Sequence, residues 1–202
     1  KTILQYVREQ GGAPESTVVG AGFKTSAAQA ALANGTLGHA HDYDDFGGFG
    51  HPTTVVFPAL LALGEKLKAT GKEILGAYII GVEVGINLTG GGGGLHGKYN
   101  QMKRGFHSTA IFGRMAAAAA CSKLLGLDQH KTTMALGTAG SMAGGLIHNF
   151  GTMTKPLHPG MAARDGVTAA ELASRGWTAG DQILEHPLGF LQTFFGEDMA
   201  NA

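Results

Sequence analysis

The stretch that decides the fold is "STAIFGRMAAAAACSKLL", Ser108 to Leu125. Alanine is the best helix former, and a glycine just past a periodic run is the usual stop. Gly126 stands at that place, so a helix is expected over 108–125. Its side chains are small enough to let neighbouring backbones approach closely. The whole chain shares that economy. Of 202 residues, 44% are hydrophobic but only 7% aromatic, so much of the apolar content is alanine, and there are 34 glycines. Charged residues make up 15%, against about 25% in an average soluble domain.

Working outward from this helix, most segments again read as helical. Upstream, helices are expected over 26–45, with Ser26 as N-cap, over 54–70 and over 72–89. Ile3 to Gln10 reads as a short helix or strand, and Val18 to Phe23 as an edge strand or loop. Downstream, one helix is expected from Gln129 to about Phe150, a break at "GTMTKPLHPG", and another helix over 161–174. Thr178 and Asp181 resemble a further start, with a last helix carrying Leu188, Phe190, Leu191, Phe194 and Phe195. The expected fold class is all-α, a multi-helix bundle forming a single domain over 1–202.

Composition narrows the function. Formal net charge is zero and no long basic run occurs, which argues against nucleic acid as a partner. The neutral balance favours self-association. The N-terminal stretch lacks the long apolar core of a signal peptide. Residues 132–154 contain no Asp, Glu, Lys or Arg, yet they are too rich in Gly, Thr and Ser for a membrane span and read as a buried helix. The single cysteine, Cys121, forms no intrachain disulfide and reads as a packed apolar residue, in keeping with a cytoplasmic protein.

Several chemistries can be weighed on motifs. "HAHDYDD", His39 to Asp45, offers nitrogen and oxygen donors for a metal-dependent hydrolase. On one helix, however, only pairs such as His39 with Asp42 or His41 with Asp45 share a face, and there is no HExxH motif or cysteine pair. No metal is therefore expected. "GGGGLHGKY" approaches a phosphate loop but ends in Tyr99 where the magnesium-binding Ser or Thr belongs. Ser141, in "AGSMAGG", has alanines where a nucleophile elbow needs glycines.

The fourth reading is proton transfer on a carboxylated substrate. Polar residues gather at "HDYDDFGGFGHP", at "RGFHST", at "GTMTKPLHPG" and at Arg164. Lys155, His158, Arg164 and Arg104 are the candidates for holding carboxylates. A histidine near neutral pKa suits proton movement beside one. Lys155, preceding Pro156, is expected to be held out of helical geometry and to project.

These same motifs, with "HPTTVVFPALLALGE", "RGFHSTAIFGRMAAAAACSKLLGLD", "NFGTMTKPLHPGMAARDGVTAAELASRGWT" and "ILEHPLGF", resemble the MmgE/PrpD family in order, over about residues 27–195. The resemblance implies cofactor-free proton chemistry on small polycarboxylates, by dehydration, decarboxylation or epimerisation. It places a dehydratase acting on a 2-methylcitrate-like substrate first. It also implies a helical domain with a smaller lid domain, an active site between them and a homodimer. This chain then reads as a part of the helical domain, with the lid absent and both ends incomplete. The resemblance assigns active-site roles to Asp42, His51, His107 and Lys155. His39, His41, Asp44 and Asp45 are left as supporting residues. Phe46 departs from the pattern, which often has Thr or Ser there.

Overall fold

A computed structural model describes residues 1–90 and 101–196. The near-phosphate-loop stretch over 92–99 lies outside the described residues, except that the glycine run begins at Gly90. The described chain is helical apart from one small hairpin: α1 (Thr2–Gln10), β1 (Ser16–Val18), β2 (Phe23–Thr25), α2 (Ala27–Gly38), α3 (Thr53–Leu67), α4 (Gly71–Leu88), α5 (Ser108–Leu124), α6 (Gln129–Met142), α7 (Thr154–Ser174) and α8 (Phe190–Phe195). Short 3-10 turns cover Gln101–Arg104 and Ile147–Asn149. The all-α reading holds. The brief run after Glu15 forms an antiparallel hairpin, with Ser16 opposite Thr25. The Ser16 hydroxyl donates to the Ala62 carbonyl at 2.7 Å, pinning the hairpin to α3.

α5 is the axis of the molecule. Every residue from Ser108 to Ser122 is buried, and α3, α4, α6 and α7 pack around it. α2 lies against α7 and α3 on the far side. Burial of α5 on all faces explains its lack of amphipathic pattern: a helix covered all round needs small apolar residues everywhere. Caps set its neighbours. Thr70 and Glu73 form a capping box at α4, and the Asp128 carboxylate accepts from Lys131 N–H at 2.8 Å at α6.

Glycines make the close approaches. A Cβ on Gly160 would sit 2.5 Å from the Leu32 carbonyl oxygen of α2 and collide with the Thr36 hydroxyl. Because a backbone atom is in the way, α2 and α7 would have to separate. Gly160→Ala is expected to destabilise the fold by about 1–3 kcal/mol or more, read as a lowered thermal midpoint.

Several boundaries differ from those expected, among them the end of α3, which stops at Leu67 and not at Thr70, with Gly71 opening α4. α2 stops at Gly38, not near Asp45, because Gly35 and Gly38 weaken helix propensity and the following aspartates bond locally. α6 ends at Met142, not Phe150: Ala143 is extended and Gly145 has φ 131°, which no helix accommodates. Residues 132–154 are therefore not one buried helix, and Leu146 is exposed. α7 begins at Thr154 and takes in the segment expected to break it. Pro156 sits in its first turn, where a helix has no use for the missing N–H, and Pro159 is accommodated inside. Lys155 is thus held by a helix and not by an extended kink. No helix starts near Thr178 or Asp181. The last helix begins only at Phe190, leaving Leu188 in solvent.

Among the described residues, no helix is long and apolar enough to cross a membrane.

Candidate active site

The loop after α2 and the N-termini of α5 and α7 meet at one cavity. The loop is shaped by its own side chains. Asp42 adopts a left-handed backbone, φ 54°, rare for a residue other than glycine and here a feature of the site. Asp45 bonds to Thr53 N–H at 3.2 Å and accepts from the Thr53 hydroxyl at 2.9 Å, capping α3 in place of Pro52. His51 N–H donates to the Thr109 hydroxyl at 3.2 Å, tying the loop to α5. On the other side, His107 N–H donates to the Gly145 carbonyl at 3.0 Å and Ile147 N–H to the Gly105 carbonyl at 2.9 Å. The segment after α6 is thereby fastened beside the start of α5.

The cavity measures about 410 Å³. Asp42, His51, His107 and Lys155 all line it, with Asp44, Phe46, Thr109 and Phe150. Four residues from three distant stretches are thus brought together. Lys155 Nζ lies 2.5 Å from Asp42 Oδ1 and 5.1 Å from the centre of the Phe150 ring. The ammonium holds the Asp42 carboxyl below the usual carboxylate range. His51 Nε2 is 3.6 Å from the same oxygen. Burial pushes the His51 pKa down.

His107 is 4% exposed and shares a 3.0 Å hydrogen bond, Nδ1 to Nδ1, with buried His158. One ring donates and the other accepts, so the pair fixes complementary tautomers. Nε2 of His107 is then the ring nitrogen that can serve a ligand. Phe150 meets the His107 ring edge-on with centroids 4.8 Å apart. Burial, reinforced by His158 and Lys155, lowers the His107 pKa to about 3. His158 is lowered as well, first by burial and then by Arg114.

These shifts link stability to pH. The folded protein keeps His107 neutral down to about 3, while the unfolded chain takes up a proton near 6.5. Stability is therefore complete above 6.5 and declines as pH falls from there towards 3. The expected loss is up to about 1.4 kcal/mol per pH unit from this one group, with His158 adding in the same direction. Denaturant midpoints at about pH 7.5 and about pH 5 check it. Equal midpoints would show that His107 does not titrate this way.

Other residues singled out in the sequence lie elsewhere. Arg104 donates to the Thr193 carbonyl at 2.5 Å, and Arg164 pairs with Asp165 at 2.7 Å; neither lines the cavity. His158 acts on the cavity only through His107. His41 is exposed. Burial raises the Cys121 thiol pKa far above its ordinary value, which removes it as a nucleophile. Sequence reading passed over Phe150 and Thr109. Their only signals were adjacency, Thr109 two places after His107 and Phe150 just before "GTMTKP".

The family model of the MmgE/PrpD N-terminal domain matches residues 1–202. The chain belongs to the MmgE/PrpD family. Cis-aconitate decarboxylase of Homo sapiens is 40% identical over 168 residues, covering 80% of this chain and 34% of that protein. Its Mus musculus counterpart is 37% identical over 196 residues, covering 93% and 39%. A cis-aconitate decarboxylase of Aspergillus terreus is 35% identical over 186 residues, covering 88% and 37%. The MmgE/PrpD chain thus spans between a third and two-fifths of the length of these relatives.

Proposed function

We propose that this MmgE/PrpD protein takes part in a cofactor-independent lyase reaction on a small polycarboxylate. The observation that carries the reading is the meeting of Lys155, Asp42, His51 and neutral His107 around one cavity. Lys155 supplies an ammonium for a substrate carboxylate. Its bond to Asp42 holds the ammonium in one place, which suits it to orient a ligand. His107 supplies a buried imidazole whose pKa of about 3 suits it poorly as a base until an anionic substrate carboxylate beside it raises that value towards the range in which Nε2 can exchange a proton. Such groups contribute about 10²–10⁴-fold to rate.

Among the described residues the wall sets one lysine, Lys155, against Asp42 and Asp44. A tricarboxylate needs more positive charge than that. On this reading the remaining carboxylates are met by groups beyond the described residues.

The relatives' names favour decarboxylation of an unsaturated tricarboxylate such as cis-aconitate. In such a β,γ-unsaturated acid the bond to the departing carboxylate breaks and CO₂ leaves. The electron pair forms a new C=C, and the old C=C pair takes a proton at its far carbon. His107 is placed to manage that proton. Dehydration of a 2-methylcitrate-like substrate is the second reading. It uses the same proton-handling groups, and exposed Phe46 against the His51 ring, centroids 5.3 Å apart, is the sequence departure that favours a different substrate. Epimerisation shares the proton step alone. The same reading expects a cytoplasmic homodimer, which light scattering on the full-length protein tests.

Incubation of the full-length protein with cis-aconitate and with 2-methylcitrate in D₂O separates these. Release of CO₂ with one deuterium in the product supports decarboxylation. Loss of water from 2-methylcitrate supports the dehydratase, and deuterium exchange without either supports an epimerase. No reaction and no exchange with either acid would overturn the polycarboxylate reading.

A further inference from the structure

α4 hides its smallest residues and shows large ones. Its buried stripe is Ala77, Gly81 and Gly85. A Cβ on Gly81 would lie 2.7 Å from the Ala116 carbonyl oxygen of α5, and the Phe49 ring fills the place of a side chain on Gly85. The helix is too close to its neighbours for bulk on that side. Its outer stripe runs through Lys72, Leu75, Gly76, Ile79, Ile80 and Glu83, all exposed among the described residues. Leu75 is 60% exposed, Ile79 65% and Ile80 43%. Phe57 of α3, also exposed, extends the patch by meeting Tyr78 of α4 edge-on. A contiguous apolar patch with charges at its rim is the mark of an interaction surface.

The order of residues along the stripe says what covers it. Lys72 and Glu83 lie eleven residues apart. That is about three helical turns, so both share one face with the aliphatic residues between them. A two-fold copy laid antiparallel about the point between Ala77 and Tyr78 brings each residue level with a fitting one. Lys72 comes level with the partner's Glu83, Leu75 with the partner's Ile80, and Gly76 with the partner's Ile79. Opposite charges meet at both ends and aliphatic side chains fill the middle. Gly76 has nothing within 4 Å of where its Cβ would stand, which leaves the room an isoleucine needs. Self-complementarity of this kind is what a two-fold interface requires. A parallel copy would set lysine against lysine and glutamate against glutamate. The zero formal net charge adds no long-range repulsion between copies.

We propose that the outer face of α4 is a two-fold, antiparallel interface between copies of this chain, in the register Lys72–Glu83, Leu75–Ile80 and Gly76–Ile79. This rests on the homodimer reading above and gives it a face and a register.

Sedimentation equilibrium of the full-length protein tests it, with circular dichroism to show that each variant is folded. The wild-type protein is expected to be a dimer. Ile79 points into solvent in the single chain, so Ile79→Glu keeps the fold. It is expected to raise the dimer dissociation constant by at least about 100-fold, because two carboxylates then enter an apolar patch. Lys72→Glu and Glu83→Lys, each alone, set like charges level and should weaken the dimer by roughly tenfold, and the double swap should restore it. A dimer unmoved by Ile79→Glu would overturn the proposal and leave the homodimer reading standing. A double swap that does not recover the dimer would overturn the register. A monomeric wild-type protein would overturn both readings; a lowered thermal midpoint in Ile79→Glu would then show the rest of the chain covering α4. Association is read directly, so none of these results depends on activity towards a polycarboxylate.

Discussion

His107→Asn is expected to lower turnover of the polycarboxylate by about 10²–10⁴-fold, the usual contribution of a positioned proton-transfer group. Asparagine fills similar space and still hydrogen-bonds to His158. It cannot exchange a proton near neutral pH. The expected signature is a fall in kcat larger than any rise in KM, because the lost interaction belongs to the transition state. Steady-state kinetics on the full-length protein, with circular dichroism to show that the fold is retained, provide the check. A loss under about tenfold would move the proton role to another group, with His51 the next candidate. His158→Asn sharpens the case, since His158 touches the cavity only through His107 Nδ1. It is expected to shift the pH profile of kcat, because the partner that sets the His107 tautomer has changed.

The largest expected effect on stability lies at the Arg114–Asp165 pair. Arg114 is 3% exposed and Asp165 is 5% exposed, and Nε to Oδ2 is 2.8 Å. Arg114 Nη1 also donates to the carbonyls of Ala110 and Gly144, at 2.7 and 2.8 Å. Asp165→Asn strands a buried guanidinium without its counter-charge. Breaking one partner of such a pair costs about 3–5 kcal/mol, or roughly 6–20 °C in Tm for a chain of this size. Replacing both residues with apolar ones of similar volume is expected to recover much of that loss, since neither charge is then stranded. Differential scanning calorimetry of the single and double variants measures both. The Gly144 bond carries the effect to the site, because the next carbonyl, Gly145, anchors His107 N–H.

Much of the helical architecture was legible from local chemistry. α5, the alanine-rich run with Gly126 behind it, could be little else. α4, expected over 72–89, runs over Gly71–Leu88. The site motifs were legible too, because a lysine among threonines and prolines and a histidine beside a helix start are unusual in an apolar bundle. The proline-rich segment before Met161 misled, since Pro156 reads as a breaker until its place in the first turn of α7 is known. Arg104 and Arg164 looked as well suited to carboxylates as Lys155 did. Only packing sent the first to the Thr193 carbonyl and the second to Asp165.

By itself, then, the sequence determined the helical class, the family and the residue types available for proton transfer, because propensity, caps and motif spacing are local properties. Tertiary structure alone decided which of those residues meet. Close approach of α2 to α7 across Gly160 sets the Asp42 loop beside Lys155, residues more than a hundred positions apart. The same packing buries His39 with one nitrogen on Asp44 and the other turned, unpartnered, towards Asp42. Contacts of that kind depend on where backbones cross, and no short-range pattern encodes a crossing.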